Sequence, residues 1–288
     1  MTLGSIYALF ALGYTMVYGI LLMINFAHSE IFMAGAFAGL CVLSAPVLSG
    51  FAPPLYFLIV FILVFAGSGF LGVAMERIAY RPLRHAPRLA PLISAIGISI
   101  FLQNIVMLGV SAQSESYPQK LPVLQFEFLD IRIDTLQIFI FCLALALMIL
   151  LHLFVSKTKM GRAMRATSQN HIVSQLMGID TNKIIALTFF IGGGLGGIAG
   201  VLNGMYYGSI KYNMGFMPGI KAFTAAVLGG IGNIRGAMVG GFVLGVLEAL
   251  SAGYISSENK DLITFIVLIL VLVVKPTGIF GEEVTEKI

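Results

Sequence analysis

The sequence predicts an all-α integral membrane protein, a bundle of about eight or nine transmembrane helices that include short or discontinuous ones. Apolar residues make up 58% of the 288 residues and charged residues only 10%, whereas roughly 25% of residues are charged in soluble proteins. So few charged side chains cannot cover the surface of a globular protein, which excludes a soluble fold. The net charge of +4 comes from loops between apolar runs, a pattern of membrane topology and not of nucleic-acid binding.

Apolar runs of about 20 residues, the length that crosses a bilayer, define the predicted spans. They cover residues 2–23, 31–48, 55–75, 89–110, 135–155, 184–203, 237–254 and 262–274. Residues 204–221 are expected to form a loop that carries Lys211 and Lys221. The following run, 223–232, is too short to cross alone, so it is interpreted either as a half-helix or as a span that begins near Pro218.

Basic residues mark one side of the membrane. Of the 17 Lys and Arg residues, four lie in the loop 76–88 and five in the loop 157–183. Two predicted spans separate these loops, so both lie on the same side, which the positive-inside rule assigns to the cytoplasm. The acidic loop 111–134 and the N-terminus are then expected outside. If the segment 218–234 crosses completely, the C-terminus lies inside; if it re-enters, the C-terminus lies outside.

The loop 157–183 is the longest polar interruption that still has a helical pattern. Ser168 is positioned to cap a helix over 169–177, and Gly178 is positioned to end it. One face of that helix is polar and the other is apolar, with Ile172, Val173, Leu176 and Met177. An amphipathic helix among basic residues indicates a docking site on the cytoplasmic side; the alternative is a solvated loop that only sets topology.

Polar residues inside apolar spans are costly, so they call for an explanation. The candidates for lining a translocation pathway are Asn25, His28, Glu30, Gln103, Asn104 and Glu248. The first three interrupt a long apolar run, which indicates either a discontinuous helix along a pathway or a simple turn between spans. The others lie within spans, where hydrogen bonding to a neighbouring helix is the alternative. Glycines spaced by four between Gly192 and Gly200 are expected to allow close helix packing.

Catalytic chemistry is not predicted. The four histidines are scattered, no pair of them has metal-ligand spacing, and Cys41 and Cys142 both lie in apolar runs. The phosphate-binding motif G-x-x-x-x-G-K-[ST] does not occur, so the chain alone is not expected to hydrolyse ATP. We therefore expect neither an enzyme nor a cofactor in this chain. Pattern alone leaves open a channel, a secondary carrier and a subunit of a primary transporter.

Six stretches carry a resemblance to a known family. They are GSIYALFALGYTMVYGILLMINFAHSEIFMAGA (4–36), MERIAYRPLR (75–84), LISAIGISIFLQN (92–104), MGRAMRATSQNHIVSQLMGIDTNKIIALTF (160–189), KAFTAAVLGGIGNIRGAMVGG (221–241) and VVKPTGIFG (273–281). Together they make the chain resemble the permease of the branched-chain amino acid (Leu, Ile, Val) ABC importer over nearly its whole length. Permeases for urea and short amides are relatives of that family.

The resemblance implies one transmembrane permease domain, 1–288, that translocates branched-chain amino acids across the bacterial inner membrane by ATP-driven alternating access. The implied partners are a second homologous permease subunit, two cytoplasmic ATPase subunits that hold ATP and Mg, and a periplasmic or extracellular amino-acid-binding protein. The coupling loop that docks on the ATPase matches here, through Gly161, Arg162, Arg165, Leu176, Met177, Gly178 and Ile179. The sequence departs from the family pattern at Ser29, Asn170 and Arg235, where Gly, an acid and Pro are usual.

Overall fold

The fold is an all-α membrane bundle, as the composition predicts. The structure, a computed structural model, describes residues 1–46, 52–84, 86–87, 89–118, 125–128, 131–254, 256, 258–275 and 277–281. The helices of this part are α1 (Thr2–Leu21), α2 (His28–Leu43), α3 (Pro53–Met75), α4 (Leu89–Gly109), α5 (Thr135–Lys157), α6 (Lys159–Gln169), α7 (His171–Leu176), α8 (Thr181–Tyr207), α9 (Phe216–Gly229), α10 (Ile234–Tyr254) and α11 (Lys260–Val274). Four short strands form two antiparallel pairs: β1 (Glu115–Ser116) with β4 (Ser209–Ile210), and β2 (Gln125–Phe128) with β3 (Ile131–Asp134).

Most predicted spans agree with these helices to within a few residues. Within the described ranges, six helices are long and apolar enough to cross a membrane, namely α1, α3, α4, α5, α8 and α10. The helices α2, α9 and α11 are shorter, with 16, 14 and 15 residues, so the predicted number of spans is approximate. Parts of the predicted segments lie outside the described residues: 47–48 of the second span, 85 and 88 of the first basic loop, and 119–124 and 129–130 of the acidic loop.

The helices α1 and α8 form the centre of the bundle. Every residue from Gly4 to Val17 of α1 is buried. The glycines of α8 let its neighbours approach to backbone distance: a Cβ on Gly197 would lie 2.1 Å from Ser68 Oγ of α3, and a Cβ on Gly35 of α2 would lie 2.2 Å from Gly197 Cα. The predicted packing role of the glycine stripe is therefore confirmed.

The two basic loops lie together at one end of the bundle, which we call the basic end. Arg84, which follows α3, donates from Nη1 to Asn182 Oδ1 in the first turn of α8 at 2.7 Å. His171 of α7 lies with its Nε2 2.9 Å from the carbonyl oxygen of Ile20, so α1 also ends there. The prediction that both loops share one side is thus confirmed by direct contacts.

The helix α9 brings the chain back to the basic end. The preceding helix, α8, ends at the opposite end, where β4 pairs with β1 of the acidic loop. After α9, the amide of Ile279 donates to the carbonyl oxygen of Leu228 at 2.8 Å, and Arg235 of α10 lies 3.3 Å from His152 near the end of α5. The segment 218–234 therefore completes a crossing and does not re-enter, and the last described residues lie at the basic end.

The predicted loop 204–221 is wrong over its final part. The helix α9 begins at Phe216, so Lys221 lies inside a helix and is only 6% exposed. Pro218 is compatible with this start, because the N–H groups of the first helical turn have no intrahelical partner. A lysine in a short apolar run favours a loop by pattern; here the buried Glu248 and the partly exposed Asp261, described below, pair with it inside the bundle.

Candidate functional site

Two short helices begin in the interior of the bundle and not at its ends. After α1, residues 23–27 turn back into the bundle. His28, the first residue of α2, packs beside Gly13, whose Cβ would lie 2.2 Å from His28 Nε2; this position is about 12 Å from the end of α1. The helix α9 starts nearby, since a Cβ on Gly219 would lie 2.8 Å from that of Ser29. The apolar run therefore breaks inside the bundle, as a discontinuous helix requires.

A cavity of about 550 Å³ lies where α1, α2, α4 and α9 meet. Its polar lining side chains are Ser29, Ser99 and Gln103. Its apolar and aromatic wall includes Tyr14, Phe26, Ile96, Phe216, Ile220 and Phe223. A larger groove of about 830 Å³ between α3 and α5 has apolar lining residues throughout. Because transporter sites form where discontinuous helices meet in the membrane interior, the cavity with polar groups, called here the central cavity, is the candidate site.

Glu30 and Gln103, both predicted from the sequence, are in direct contact beside the central cavity. Gln103 lines the cavity, whereas Glu30 is absent from its lining and lies behind it. Glu30 is completely buried, and its Oε1 accepts hydrogen bonds from Gln103 Nε2 and from Ser99 Oγ, both at 2.9 Å. Ser29 Oγ lies 3.1 Å from the same oxygen and shares its single proton with the Phe26 carbonyl oxygen at 2.8 Å. Glu30 Oε2 is buried without a hydrogen-bond partner among the described residues. The hydroxyl at position 29, where the family usually has glycine, thus contributes directly to holding this carboxylate.

Three other predicted pathway residues lie outside the lining of the central cavity. Asn25 is buried and its Oδ1 accepts a hydrogen bond from the Tyr80 hydroxyl at 2.7 Å. The His28 ring packs edge-on against Tyr14, with ring centroids 4.8 Å apart. Asn104 is exposed and donates to a carbonyl of its own helix. Hydrogen bonding and packing account for these contacts, and a role in the pathway stays a prediction for all three.

Glu248 lies in a second buried cluster, formed by α1, α9, α10 and α11. Lys221 Nζ lies 2.7 Å from Glu248 Oε1 and 2.7 Å from Asp261 Oδ1, and it also lies 3.5 Å from the Tyr7 hydroxyl. Glu248 is 2% exposed, so it lies in the interior of the bundle and not against lipid. The ion pair with Lys221 stabilises a charge that would be costly in lipid. Glu248 is absent from the lining of the central cavity.

The segment 157–183 forms two helices, α6 and α7, which meet at Asn170. The predicted cap at Ser168 is wrong, because Ser168 lies inside α6 and donates to the Arg165 carbonyl at 2.8 Å. The cap is Asn170, whose Oδ1 accepts from the amides two and three residues further on at 2.9 and 3.0 Å. Asparagine and aspartate are equally good N-caps, so this position can differ from the acid that is usual in the family without losing the helix start.

Gly178 ends α7, as predicted. Its φ is 82°, in the left-handed region that glycine adopts without cost. The Gly178 amide donates to the Gln175 carbonyl and the Ile179 amide to the Ser174 carbonyl, both at 3.0 Å. These two bonds make a Schellman motif, which fixes where the helix stops.

The helix α7 turns its apolar side away from the bundle. The exposed fractions are 72% for Ile172, 53% for Val173, 81% for Leu176 and 77% for Met177. Ser174 is the residue of α7 that is buried against the bundle, and the exposed Gln175 donates from Nε2 to the Thr181 hydroxyl at 2.8 Å. Ordinary surface helices have the opposite orientation. An exposed apolar patch of this kind is typical of a protein-interaction surface.

Both ends of α7 are tied to the membrane helices. At its start, His171 Nε2 donates to the Ile20 carbonyl at 2.9 Å, since a carbonyl oxygen can only accept. After its end, Asp180 Oδ1 accepts from the Lys183 amide at 3.2 Å and caps α8. The hydrogen bond from this amide, together with the Lys183 side chain, lowers the pKa of the Asp180 carboxyl.

The helix α6 packs tightly against the end of α5. A Cβ on Gly161 would lie 2.2 Å from the Val155 carbonyl oxygen, so a larger residue does not fit there. Arg165 donates to the same carbonyl, whereas the Arg162 side chain is exposed. The predicted coupling residues therefore divide into those that hold the segment in place and those that present a surface.

Comparisons with known proteins identify the family. A family model described as branched-chain amino acid transport system, permease component, matches residues 1–272. The chain belongs to this family of permeases. The resemblance drawn from its motifs is therefore confirmed, and the permease is a multi-pass membrane protein. No solved structure matches the chain significantly.

Full-length relatives include bacterial and archaeal permeases. The high-affinity branched-chain amino acid transport system permease protein BraD of Pseudomonas aeruginosa is 48% identical over 294 residues, which cover 100% of this chain and 95% of BraD. LivH of Escherichia coli strain K12, which carries the same description, is 46% identical over 298 residues, which cover 100% of this chain and 95% of LivH. The probable branched-chain amino acid transport permease LivH of Methanocaldococcus jannaschii is 28% identical over 296 residues, 97% of this chain and 90% of that protein.

Sequence reasoning missed several residues of the candidate site and of the second buried cluster. Ser99 lies four residues before Gln103 on the same helix face, so the spacing was an available signal. Phe223 and Tyr14 carry no such signal, because aromatic residues in apolar helices look alike whether they face a cavity, lipid or another helix. In the sequence, Asp261 only marks the start of the last span. Its contact with Lys221 is visible only in the structure.

Proposed function

We propose that this chain is the permease subunit of an ABC importer that moves branched-chain amino acids across the bacterial inner (cytoplasmic) membrane. Family membership and the full-length relatives support the substrate class. The proposed assembly contains a second homologous permease subunit, two cytoplasmic ATPase subunits that bind ATP and Mg, and a binding protein on the outer face. In this arrangement the basic end faces the cytoplasm.

The observation that carries the proposal is the orientation of α7. Four apolar side chains point away from the bundle at the basic end, where an ATPase would dock. In this proposal their apolar surface enters a groove of the ATPase. The exposed Arg162 lies on the adjacent α6 and would pair with acidic groups at the rim of that groove.

Movement of α6 and α7 would be transmitted to the membrane helices through their contacts with α1 and α5. His171 joins α7 to the end of α1, and α1 leads directly to the break that precedes α2. At Gly161, α6 packs directly against the backbone of α5, with no space for a side chain between them. Displacement of α6 and α7 by the ATPase dimer therefore acts on the helices around the central cavity.

Transport follows from two conformations of the bundle that open the central cavity to opposite sides. ATP favours one conformation because the closed ATPase dimer binds it more tightly, which is a population shift. The short helices α2 and α9 begin beside the cavity, so their start is the region that such a change rearranges. The apolar and aromatic wall suits an aliphatic side chain better than it suits urea, which has no apolar part.

Uptake by a deletion strain, with and without this chain, tests the proposal. Labelled leucine, urea and a short acyclic amide serve as the three substrates. We expect restored uptake of leucine and unchanged uptake of the other two. Restored uptake of urea or the amide would assign the chain to the related permeases, and leucine uptake without any ATPase would indicate a stand-alone carrier or channel.

A further inference from the structure

A polar cavity of about 240 Å³ lies at the basic end, between the turn that follows α3 and the start of α8. Its charged lining side chains are Glu76, Arg77, Arg81, Asp180 and Lys183. We call this cavity the basic pocket. It shares no lining residue with the central cavity, and nothing in the transport scheme above depends on it.

Both acids of the basic pocket already have a cationic partner. Arg84 pairs with Glu76, which is 1% exposed. Lys183 Nζ lies 3.1 Å from Asp180 Oδ2. Because each acid is already paired, neither neutralises the two remaining arginines of the pocket, and the pocket keeps a positive charge.

Arg77 and Arg81 carry this positive charge. Both are exposed, and their side chains have no ion pair or hydrogen bond with any residue that the structure describes. Arg77 lies within the π-helical turn Glu76–Tyr80, and Arg81 directly follows that turn. A guanidinium presents several N–H groups in one plane, an arrangement that matches the oxygens of a phosphate. Two such groups beside one pocket point to a ligand that carries a phosphate.

An exposed aromatic surface continues from the basic pocket toward the membrane interior. Phe70 of α3 lies seven residues before Arg77, and Phe190 of α8 lies seven residues after Lys183. Since α3 ends at the basic end and α8 begins there, each ring lies about 10 Å deeper than the basic group of the same segment. The two ring centroids are 5.3 Å apart, and Phe70 is 67% exposed. Basic groups at the membrane surface with aromatic groups beneath them match the order of headgroup and acyl chain in a phospholipid.

We propose that the basic pocket binds the headgroup phosphate of one anionic phospholipid of the cytoplasmic leaflet. Arg77 and Arg81 bind the phosphate, and an acyl chain of the same lipid lies along Phe70 and Phe190. An anionic headgroup is favoured over a zwitterionic one, because a headgroup ammonium would meet a pocket that is already positive. Basic pockets between membrane helices on the cytoplasmic side bind headgroups of this kind. The site requires no transport activity, only a basic end that lies at the cytoplasmic leaflet.

Native mass spectrometry of the purified full-length permease in detergent measures the affinity of such a site. The probes are phosphatidylglycerol, phosphatidylethanolamine with the same acyl chains, and glycerol 3-phosphate, which has the phosphate without the chains. We expect one phosphatidylglycerol to bind more tightly than either of the others by about tenfold or more. Equal affinity for the two lipids would overturn selection by charge. Equal affinity for glycerol 3-phosphate would overturn the lipid and assign the pocket to a free phosphate compound.

Paired arginine variants assign the effect to the basic pocket. The double variant Arg77→Gln, Arg81→Gln should bind phosphatidylglycerol no more tightly than phosphatidylethanolamine. Arg77→Lys with Arg81→Lys keeps the charge without the planar fork and should bind with intermediate affinity, which preserves the test if the Gln variant does not fold. The matched control, Lys157→Gln with Lys159→Gln, removes two exposed charges of the same end outside the pocket lining and should behave as the wild type does. Equal losses in the Gln variant and the control, or no loss in either, would overturn the site.

An aromatic variant tests the position of the acyl chain. Phe70→Ala should weaken binding of phosphatidylglycerol severalfold and leave binding of glycerol 3-phosphate unchanged. Phe101→Ala is the matched control, because Phe101 is 61% exposed on α4 and lies outside the lining of the basic pocket. Equal binding of phosphatidylglycerol by the two variants would overturn the placement of the chain along α3 and α8.

Addition of the ATPase subunits in the same titration distinguishes a lipid from an acidic protein segment as the occupant. We expect phosphatidylglycerol to stay bound in the complex, because the proposed docking surface is the apolar side of α7. Loss of one phosphatidylglycerol per permease on ATPase binding would show that the ATPase occupies the pocket and would overturn the lipid site. Failed leucine uptake by a permease that still selects phosphatidylglycerol would contradict the proposed function and support the lipid site alone.

Discussion

Lys221 Nζ lies 2.7 Å from Glu248 Oε1, so a cation of α9 meets a carboxylate of α10 inside the bundle. Asp261 of α11 approaches the same ammonium group at 2.7 Å. The cluster therefore joins three helices, of which α9 has 14 residues and α11 has 15. Removing one partner would leave the other charge buried and uncompensated, which is strongly destabilising.

Lys221→Met should destabilise the permease by about 3–5 kcal/mol, the usual cost of leaving buried charges without their partner. Glu248→Gln should cost less, because Lys221 keeps Asp261 and the amide still accepts a hydrogen bond. Glu248→Leu should cost more than Gln, because it removes the acceptor. Thermal unfolding of the purified protein measures the order. Lys211→Met, which changes an exposed lysine, is the control, and a Lys221→Met variant as stable as this control would contradict the prediction.

Gly178→Val should uncouple ATP hydrolysis from uptake while membrane insertion stays normal. The left-handed φ of 82° costs a residue with a Cβ roughly 1–2 kcal/mol, and the strain falls on the end of α7. Nothing lies within 4 Å of the added Cβ, so the effect arises from the backbone. Gly178→Asn is the matched control, because asparagine tolerates this conformation. Equal uptake per ATP hydrolysed in both variants would show that the shape of this turn is irrelevant.

Leu176→Asp should weaken binding of the ATPase. Its side chain is 81% exposed, so the substitution cannot disturb the core, and a charge in the proposed groove would lie buried without a partner. Co-purification of the ATPase with the permease measures the effect. Gln169→Asp adds the same charge at an exposed position of α6 and should leave co-purification unchanged. If both variants retain the ATPase equally, α7 is not the docking element.

Single cysteines should report the orientation of the bundle. Ser114→Cys lies in the acidic loop and Ser168→Cys in the segment 157–183, on a background without Cys41 and Cys142, both free and exposed. An impermeant thiol reagent should label the first in intact cells and the second only after permeabilisation. The reverse labelling would show that the basic end, with α7, faces outward and that the proposed topology is inverted.

Gly35→Ala should destabilise the bundle strongly. Its Cβ would lie 2.2 Å from Gly197 Cα, and only separation of α2 from α8 can relieve this contact. Overpacking of this kind costs about 1–3 kcal/mol of stability. Gly67→Ala is the matched control, since nothing lies within 4 Å of that Cβ and alanine favours a helix. The Tm of the Gly35 variant should fall and that of the Gly67 variant should not.

The sequence predicts the spans well because apolar length is a local property of the chain. It also identifies Glu30, Gln103 and Glu248, because polar groups are conspicuous in apolar helices. It does not predict that Gln103 binds Glu30 while Asn104 faces outward, since helix rotation depends on packing between distant segments. The sequence pattern places Lys221 in a loop because its acidic partners come from two other helices. It does not distinguish Ser168 from Asn170 as the cap of α7, because serine and asparagine are equally good N-caps.

ATP-dependent uptake of labelled leucine into proteoliposomes tests the central claim most directly. The vesicles contain this chain with its permease partner, the ATPase subunits and the loaded binding protein, and matched vesicles lack this chain. The account predicts leucine accumulation that requires both ATP and this chain and that Leu176→Asp lowers. Accumulation that is equal without this chain, or that persists when a non-hydrolysable analogue replaces ATP, would contradict it.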